Sequence, residues 1–299
     1  MGILGISGRG LAAAFVSAGA LAAVVTAAPG RAASIGTAAV AVSHPAGVKA
    51  PPPSFPAAAR TVPATQQCDV AYLRYGACYD YAGATQTAND QGASVSFPVE
   101  SPNLAWNSLG YHTLMEMAVF NRTATGIDED TAEVGWTVQS LKAGQPPVPH
   151  LFVYHFVNTK GTCYNGCGFV RTSTKVVPGM ALKPGTKVTW TIRNVDHKWT
   201  FWFDGTRFGY IPDSAYQGTF GHASMVNVYG EIAGAGTTPS CNQMGNRLYG
   251  TQPGAATISG FRLYGTSAQP DLTPYSPTDP AAWDNTTTTN TFSVGGPGD

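Results

Sequence analysis

Two glutamates lie in the middle of apolar, strand-like segments, where acidic side chains are uncommon. In SMVNVYGEIAG, the alternation of side chains along a strand places Glu231 on one face and Val228 and Ile232 on the other. In TAEVGWTVQ, it places Glu133 opposite Trp136, which we interpret as a core residue. Two carboxyls on one concave sheet surface can divide acid–base chemistry, because one stays ionised as a base while the other keeps its proton as an acid.

Other catalytic signatures are absent from the sequence. It contains no H-E-x-x-H zinc motif, no G-x-S-x-G nucleophile motif and no glycine motif for phosphates or dinucleotides. The six histidines are scattered, and we interpret each as structural or superficial. Carboxylates therefore remain as the candidates. Periodicity alone leaves open the alternative that both glutamates are ordinary solvent-facing strand residues.

The composition favours β-structure and argues against a charged partner. Only 11% of the residues are charged, compared with about 25% in an average globular chain, and the formal net charge is zero. Because no basic field exists, we expect neither nucleic acid nor anionic lipid as a partner. The 35 glycines, 22 prolines and 13 tyrosines supply turn formers and strand-favouring aromatics.

The first 33 residues have the form of a secretory signal peptide. Arg9 precedes an apolar run from Leu11 to Ala28, and small residues follow. The run of about 18 residues is borderline for spanning a bilayer, so a membrane anchor is the alternative. We expect a secreted, extracellular protein that leaves the membrane after signal removal. Residues 34–67 are rich in Ala and Pro and are predicted to form a disordered linker or short propeptide.

The five cysteines agree with export, because close cysteine pairs in an oxidising compartment indicate disulfides. The economical pairings are Cys68 with Cys78 and Cys163 with Cys167, which leaves Cys241 over. The spacing does not match a zinc site, and no metal is expected.

Period-2 alternation recurs through residues 68–265 and predicts one all-β domain. Many short strands separated by turn residues are typical of an antiparallel β-sandwich of the jelly-roll or concanavalin-like type. We expect this domain to be a monomer, and residues 266–299 to form a disordered C-terminal tail. The eight predicted strands are Ala93–Val99, His112–Phe120, Ala132–Val138, His150–Val157, Lys187–Asn194, Trp199–Asp204, Ser224–Ile232 and Thr257–Tyr264.

Six short motifs, taken in order, resemble the neprosin family of glutamic endopeptidases. The most specific is CYNGCGFV at 163–170, and the resemblance covers most of the predicted domain. The motifs are Glu133-Val134-Gly135-Trp136, Leu151-Phe152-Val153-Tyr154, Cys163–Val170, Gly209-Tyr210-Ile211-Pro212, Tyr229-Gly230-Glu231-Ile232 and Met244-Gly245.

This resemblance implies a β-sandwich with two catalytic glutamates in a cleft, and cleavage of proline-rich peptides after proline, best in acid. By motif, the catalytic pair is Glu133 and Glu231, and neither a cofactor nor a metal is required. Two features depart from the plant members of the family. The loop between Cys163 and Cys167 is one residue shorter, and about 30 residues replace a long N-terminal activation domain.

Four aromatic side chains on the same faces or on nearby turns are predicted to bind the substrate, because proline stacks well on aromatic rings. Core packing or a place at the sheet edge is the alternative for each. They are Tyr154, Trp202, Tyr210 and Tyr229.

Two other functions are compatible with a sandwich of this kind. Jelly rolls with paired glutamates can be glycoside hydrolases, for which the separation of the carboxyls indicates the stereochemistry. A non-catalytic module that binds carbohydrate or peptide is the second alternative. Release of sugars would establish the first, and full function without the glutamates would establish the second.

Overall fold

The computed structural model describes residues 73–74, 77–104, 112–122, 128–139, 146–158, 160–234, 242–275, 284–288 and 290–298. Within these ranges the secondary structure consists almost entirely of strands, with one short 3-10 helix at Asp213–Tyr216. The strands are β1 (Leu73–Arg74), β2 (Ala77–Asp90), β3 (Gly92–Pro98), β4 (His112–Arg122), β5 (Asp128–Gln139), β6 (His150–Val157), β7 (Lys160–Gly161), β8 (Val170–Arg171), β9 (Lys187–Asn194), β10 (Lys198–Phe203), β11 (Thr206–Pro212), β12 (Ala223–Gly234), β13 (Ala256–Leu263), β14 (Thr273–Tyr275), β15 (Asp284–Thr288) and β16 (Thr291–Gly295).

The strands form two antiparallel sheets that pack face to face as a sandwich. The first, which we call the front sheet, has the order β1-β2-β12-β4-β5-β6-β7, and β14 pairs with β2. The second, the back sheet, has the order β15-β16-β13-β3-β9-β10-β11-β8. The predicted all-β antiparallel sandwich is therefore confirmed. Some neighbouring strands of the front sheet, such as β12 and β4, are distant in sequence. The relative position of site residues on this sheet therefore depends on the register between strands that are far apart along the chain.

The core lies between the sheets and is filled by the inward residues of both. Trp136 from the front sheet is fully buried there, as predicted, and its indole N–H donates to the Pro98 carbonyl at 2.9 Å. Trp190 and Trp199 are buried from the back sheet. Burial of such large aromatic side chains supplies much of the hydrophobic stabilisation of a sandwich. On β5, Ala132, Val134 and Trp136 fill inward positions, so Glu133 is left on the outward face.

All eight predicted strands are present. The longest strand of the two sheets, β2, was not predicted. Strand β2 has the sequence ACYDYAGATQTAND, which is poor in the β-branched residues that favour strands. Two of its inward residues, Ala82 and Ala84, are small and fully buried. The strand forms because it pairs along its length with β12, from Asp90 opposite Ala223 to Cys78 opposite Gly234.

The predicted disordered tail at residues 266–299 is wrong for its described parts. Strand β14 pairs with β2, and the hairpin of β15 and β16 extends the back sheet next to β13. Phe292 and Val294 of β16 are buried in the core, which anchors the hairpin. The proline and threonine content suggested disorder, but threonine is β-branched and the alternation in TFSVG buries one face. The folded domain thus continues to residue 298.

Several predictions concern parts of the chain outside the described residues. They are the signal peptide at 1–33, the linker at 34–67, the Cys68–Cys78 disulfide and the state of Cys241. In the part of the chain that the structure does describe, no helix is long and apolar enough to cross a membrane.

Candidate active site

Glu133 and Glu231 project from the same face of the front sheet, the face turned away from the core. Glu231 on β12 pairs with Leu114 on β4, and Glu133 on β5 pairs with Ala118 of the same strand. The inward neighbour Ile232 is fully buried in the core, which fixes the opposite orientation for Glu231. Strand β4 therefore lies between the two glutamates and determines their relative position.

A third glutamate, Glu116, lies on β4 between them. Glu116 pairs with Tyr229 of β12 on one side and with Gly135 of β5 on the other. Its side chain is only 2% exposed, between the positions of Glu133 and Glu231. Sequence reasoning missed this residue, although the alternation of Met115 and Met117 toward the core points Glu116 outward.

Burial and the neighbouring carboxylates raise the pKa of Glu116 well above its ordinary value. Burial is the largest cause, followed by the negative charges of Glu133 and Glu231. A hydrogen bond from the Tyr229 hydroxyl acts in the opposite direction and lowers the pKa. Because the raising causes prevail, Glu116 holds its proton at pH values where an exposed glutamate is ionised.

Glu231 is bonded to a buried histidine. His112 Nε2 lies 2.7 Å from Glu231 Oε1, and the side chains are 4% and 13% exposed respectively. Within the described residues, His112 Nδ1 has no hydrogen-bond partner. Nε2 is therefore the ring nitrogen that can donate a hydrogen to Glu231. This hydrogen bond holds the carboxyl of Glu231 in one orientation.

Glu133 has a different partner. The Thr131 hydroxyl donates to Glu133 Oε1 at 2.8 Å, while its oxygen accepts the Phe156 N–H at 3.1 Å. Since the hydroxyl is held from both sides, it fixes the carboxyl of Glu133 in one orientation. Glu133 is 7% exposed and more enclosed than Glu231. The two glutamates thus lie in unequal surroundings, which is what separate acid and base roles require.

Tyrosines surround the three carboxyls. Tyr154 pairs with Glu133 across β5 and β6, and its ring packs against Tyr164 at 4.9 Å between centroids. Tyr229 pairs with Glu116 and meets the Tyr81 ring edge-on. Burial raises the pKa of the Tyr164 hydroxyl well above its ordinary value, and the charges of Glu231 and Glu116 raise it further. Tyr164 therefore stays a neutral hydrogen-bond donor beside the carboxyls.

Tyr164 reaches the site because the disulfide loop holds it there. The predicted Cys163–Cys167 disulfide is present, with Cα atoms 5.7 Å apart. Asn165 within the loop takes a left-handed conformation with φ of 59°. Its side chain accepts the Val153 N–H at 2.8 Å, and its own N–H donates to the Val153 carbonyl at 2.9 Å. These paired bonds attach the loop to β6, beside Tyr154.

Two of the predicted substrate-binding residues lie elsewhere. Trp202 on β10 pairs with Thr191, and Tyr210 on β11 pairs with Thr200, on the outer face of the back sheet. Tyr210 contacts Lys198 and Arg207 there. The prediction that Trp202 and Tyr210 line the site with the glutamates is therefore wrong. Alternation assigns a residue to a face of its strand, but it does not say which sheet contains the strand.

The other two, Tyr154 and Tyr229, lie beside the glutamates as described above. Among the described residues, no group of three His, Cys, Asp or Glu side chains has the arrangement of a metal site. The carboxyls of Glu116, Glu133 and Glu231 can transfer protons and make hydrogen bonds.

Comparison with known protein families identifies the family of this chain. Residues 111–297 match the model of the family described as Neprosin. The match covers more than half of the chain and includes all three glutamates, so the protein belongs to the neprosin family. This membership supports a peptidase of the glutamic type. No match was found among curated protein sequences.

Solved structures give weaker similarities. Scytalido-glutamic peptidase with a transition state analog inhibitor is 10% identical, and the alignment covers 73% of this chain and 98% of that one with a TM-score of 0.47. A family 16 endo-glucanase from Bacteroides ovatus is 12% identical, with 57% and 76% covered and a TM-score of 0.32. These similarities are too low to assign an activity.

Proposed function

We propose that the protein is a secreted endopeptidase that hydrolyses peptide bonds with two glutamates, on the C-terminal side of proline and most actively in acid. The observation that carries this proposal is the placement of Glu133 and Glu231 on one outward face, each with its own hydrogen-bond partner. The family membership agrees with it, since the resemblance of the motifs implies the same pair of residues.

The mechanism we propose is direct attack by water. Glu231, bonded to His112, takes a proton from the water while the water oxygen bonds to the carbonyl carbon. Glu133 gives its proton to the carbonyl oxygen, which yields a neutral tetrahedral intermediate. When the C–N bond breaks, the leaving nitrogen receives a proton from Glu231, and the hydroxyl proton returns to Glu133 as the new carboxylic acid forms. Both glutamates end as they began, and no covalent intermediate arises.

The preference for proline rests on the aromatic side chains beside the glutamates. Tyr154 and Tyr229 flank Glu133 and Glu116 directly in the strand register. Flat apolar rings provide a surface on which the proline ring can stack, and an extended peptide can lie across the sheet between them. The acid optimum follows from chemistry that needs one carboxyl to keep its proton.

Export is part of the proposal. The N-terminal sequence has the form of a signal peptide, and the Cys163–Cys167 disulfide is of the kind that persists in oxidising compartments. Expression with the N-terminal residues intact should deliver a shortened protein to the medium. Retention of the uncut chain in the membrane fraction would instead favour an anchor.

Cleavage of a defined substrate set tests the activity. The purified protein is incubated with a mixture of synthetic peptides, half of them containing internal proline, at pH values from 3 to 8, and the products are identified by mass spectrometry. Fragments ending in proline, formed fastest in acid and absent with Glu231→Gln, are expected. Uncut peptides, together with sugars released from a polysaccharide panel, would replace the proposal by glycoside hydrolysis.

A further inference from the structure

Glu116 stands midway on the diagonal that joins the two proposed catalytic glutamates. Along β4, Glu231 is level with Leu114 and Glu133 is level with Ala118, so Glu116 is the central position. Neighbouring strands lie about 4.8 Å apart, and diagonal partners two residues away are within reach of long side chains. The mechanism above leaves this buried, centrally placed carboxyl without a task.

One oxygen of Glu116 is also left without a partner. The carboxyl group receives a hydrogen bond from Tyr229, yet Oε2 is buried and has no hydrogen-bond partner among the described residues. A buried polar atom without a partner costs on the order of 1–3 kcal/mol, so its retention at a strand centre calls for a use. A hydrogen on Oε2 thus has no acceptor among the described residues, at a strand position between those of Glu133 and Glu231.

The groups that face Glu116 from the surrounding strands and loop do not compensate a negative charge on it. They are carboxyls and phenols, and His112 on the same strand is hydrogen-bonded to Glu231. These groups are Tyr229 and Glu231 from β12, Glu133 from β5 and Tyr164 from the disulfide loop.

Gly135 allows strand β5 to approach Glu116 closely. A Cβ atom at Gly135 would lie 2.8 Å from Glu116 Cβ and 2.1 Å from the Met115 carbonyl oxygen, distances that real side chains do not adopt. Because Gly135 is the direct cross-strand partner of Glu116, its bare backbone gives the Glu116 side chain room on the side of Glu133. The strand register and the absence of a side chain at Gly135 together allow the Glu116 carboxyl to lie at this position.

We propose that Glu116 is a third catalytic residue: it works as a neutral carboxylic acid whose Oε2 hydrogen binds the water or the carbonyl oxygen between Glu133 and Glu231. The hydrogen bond holds the reacting oxygen on the line between base and acid, and the proton itself is not transferred. This inference rests on the proposed peptidase function and adds to it a residue that sets the alkaline limit of activity.

The limit follows from the ionisation of Glu116. Loss of its proton removes the donor and adds a third negative charge among carboxyls. That charge would also oppose the negative charge that develops on the carbonyl oxygen as the water attacks. Since burial and the neighbouring charges raise the pKa of Glu116, the donor persists above the ordinary range of a glutamate and is lost as the pH rises further. Activity should therefore decline through that titration.

Substitution by glutamine separates this role from others, because an amide cannot ionise but can still accept from Tyr229 through Oε1 and donate from Nε2. We expect Glu116→Gln to keep at least a tenth of the wild-type kcat/KM in acid and to extend the active range upward by about one pH unit or more. Glu116→Ala should lose about 100-fold or more at every pH, as expected for loss of one transition-state donor. Glu100→Gln, which lies outside the cluster, is the matched control and should leave the profile unchanged.

The measurement is the pH profile of kcat/KM on a cleaved peptide from pH 3 to 9, with the melting temperature of each variant recorded at each pH. A Glu116→Gln profile that coincides with the wild type, or a folded Glu116→Gln protein that is inactive in acid, overturns the inference. If Glu116→Ala does not fold, the glutamine variant alone decides. If the wild type cleaves no peptide, the proposed function fails, and the melting curves still report whether Glu116 is neutral.

Discussion

His112 Nε2 lies 2.7 Å from Glu231 Oε1, and both side chains are largely shielded from water. The contact joins β4 to β12 on the outward face of the front sheet, with His112 placed opposite Ala233 in the register. A hydrogen bond of this kind fixes the orientation of the Glu231 carboxyl. The histidine thus acts through the glutamate, as a positioning residue for the proposed base.

Replacement of this histidine should reduce turnover more than binding. We expect His112→Ala to lower kcat by about tenfold or more, equal to a loss of about 1.4 kcal/mol of transition-state stabilisation. KM should change little, because the imidazole contacts Glu231 rather than the substrate. His222→Ala, at an exposed position, is the control. A change confined to KM would place His112 in substrate binding instead.

The two proposed catalytic glutamates should each be indispensable. Glu133→Gln and Glu231→Gln preserve shape and hydrogen-bonding capacity but cannot transfer a proton, so each should lower kcat by at least about 100-fold. Melting temperatures should stay within a few degrees of the wild type, which shows that the fold is intact. Initial rates on a proline-containing peptide provide the measurement. Near-normal turnover by either folded variant would refute the two-glutamate mechanism.

Activity and stability should also be sensitive to the addition of a side chain at Gly135. Gly135→Ala places a methyl group against the Met115 carbonyl oxygen and the Glu116 side chain, so the sheet must distort at the centre of the site. Overpacking of this kind costs about 1–3 kcal/mol, and we expect a lower melting temperature together with a severe loss of activity. In Gly221→Ala nothing lies within 4 Å of the new Cβ atom, which makes it the matched control. Equal behaviour of the two variants would show that the space beside Glu116 is unimportant.

The disulfide should matter for the site as well as for stability. Cys163→Ser combined with Cys167→Ser frees the loop that carries Tyr164, although the Asn165 bonds to β6 remain. A short closed loop contributes about 2 kcal/mol by the loop-entropy model, so the melting temperature should fall by several degrees. kcat/KM should fall severalfold because Tyr164 is less firmly placed. Unchanged kinetics in the serine variant, with only the stability reduced, would restrict the loop to a structural role.

Strands with regular alternation could be predicted from the sequence, and strands that depend on their neighbours could not. The bounds of His150–Val157 and Lys187–Asn194 agree with the prediction because alternating residues report a strand that is buried on one side. The sequence of β2 lacks a clear alternation of apolar and polar residues, since the inward positions at its centre are the small Ala82 and Ala84. The hairpin at the C-terminal end is likewise defined by its pairing with β13.

The residues of the candidate site likewise include some that local sequence patterns predict and some that depend on long-range strand pairing. Alternation and the family motifs placed Glu133 and Glu231 on the outward faces of their strands, as the structure has them. Glu116 was missed because its role depends on β4 lying between β12 and β5, a long-range arrangement that no local pattern contains. Trp202 was misplaced for the related reason that local patterns do not assign a strand to a sheet.

Asp90 should make the protein less stable as the pH rises. Burial raises the pKa of Asp90 to about 7, against the smaller lowering effect of the hydrogen bond from the Gly92 N–H. In the unfolded chain the same carboxyl titrates near its ordinary value, so between about pH 4 and pH 7 the folded state binds the extra proton. The stabilising effect is full below this window and is lost as the pH rises through it.

Asp90→Asn removes this dependence because the amide does not ionise, while its carbonyl oxygen can still accept from Gly92. The buried amide nitrogen replaces Oδ2, which has no partner among the described residues, and any cost of this change is the same at every pH. The informative quantity is therefore the difference in melting temperature between variant and wild type, measured at pH 4 and again at pH 8. We expect the difference to shift by several degrees in favour of Asp90→Asn at pH 8. A difference that is constant from pH 4 to pH 8 would mean that Asp90 titrates alike in both states.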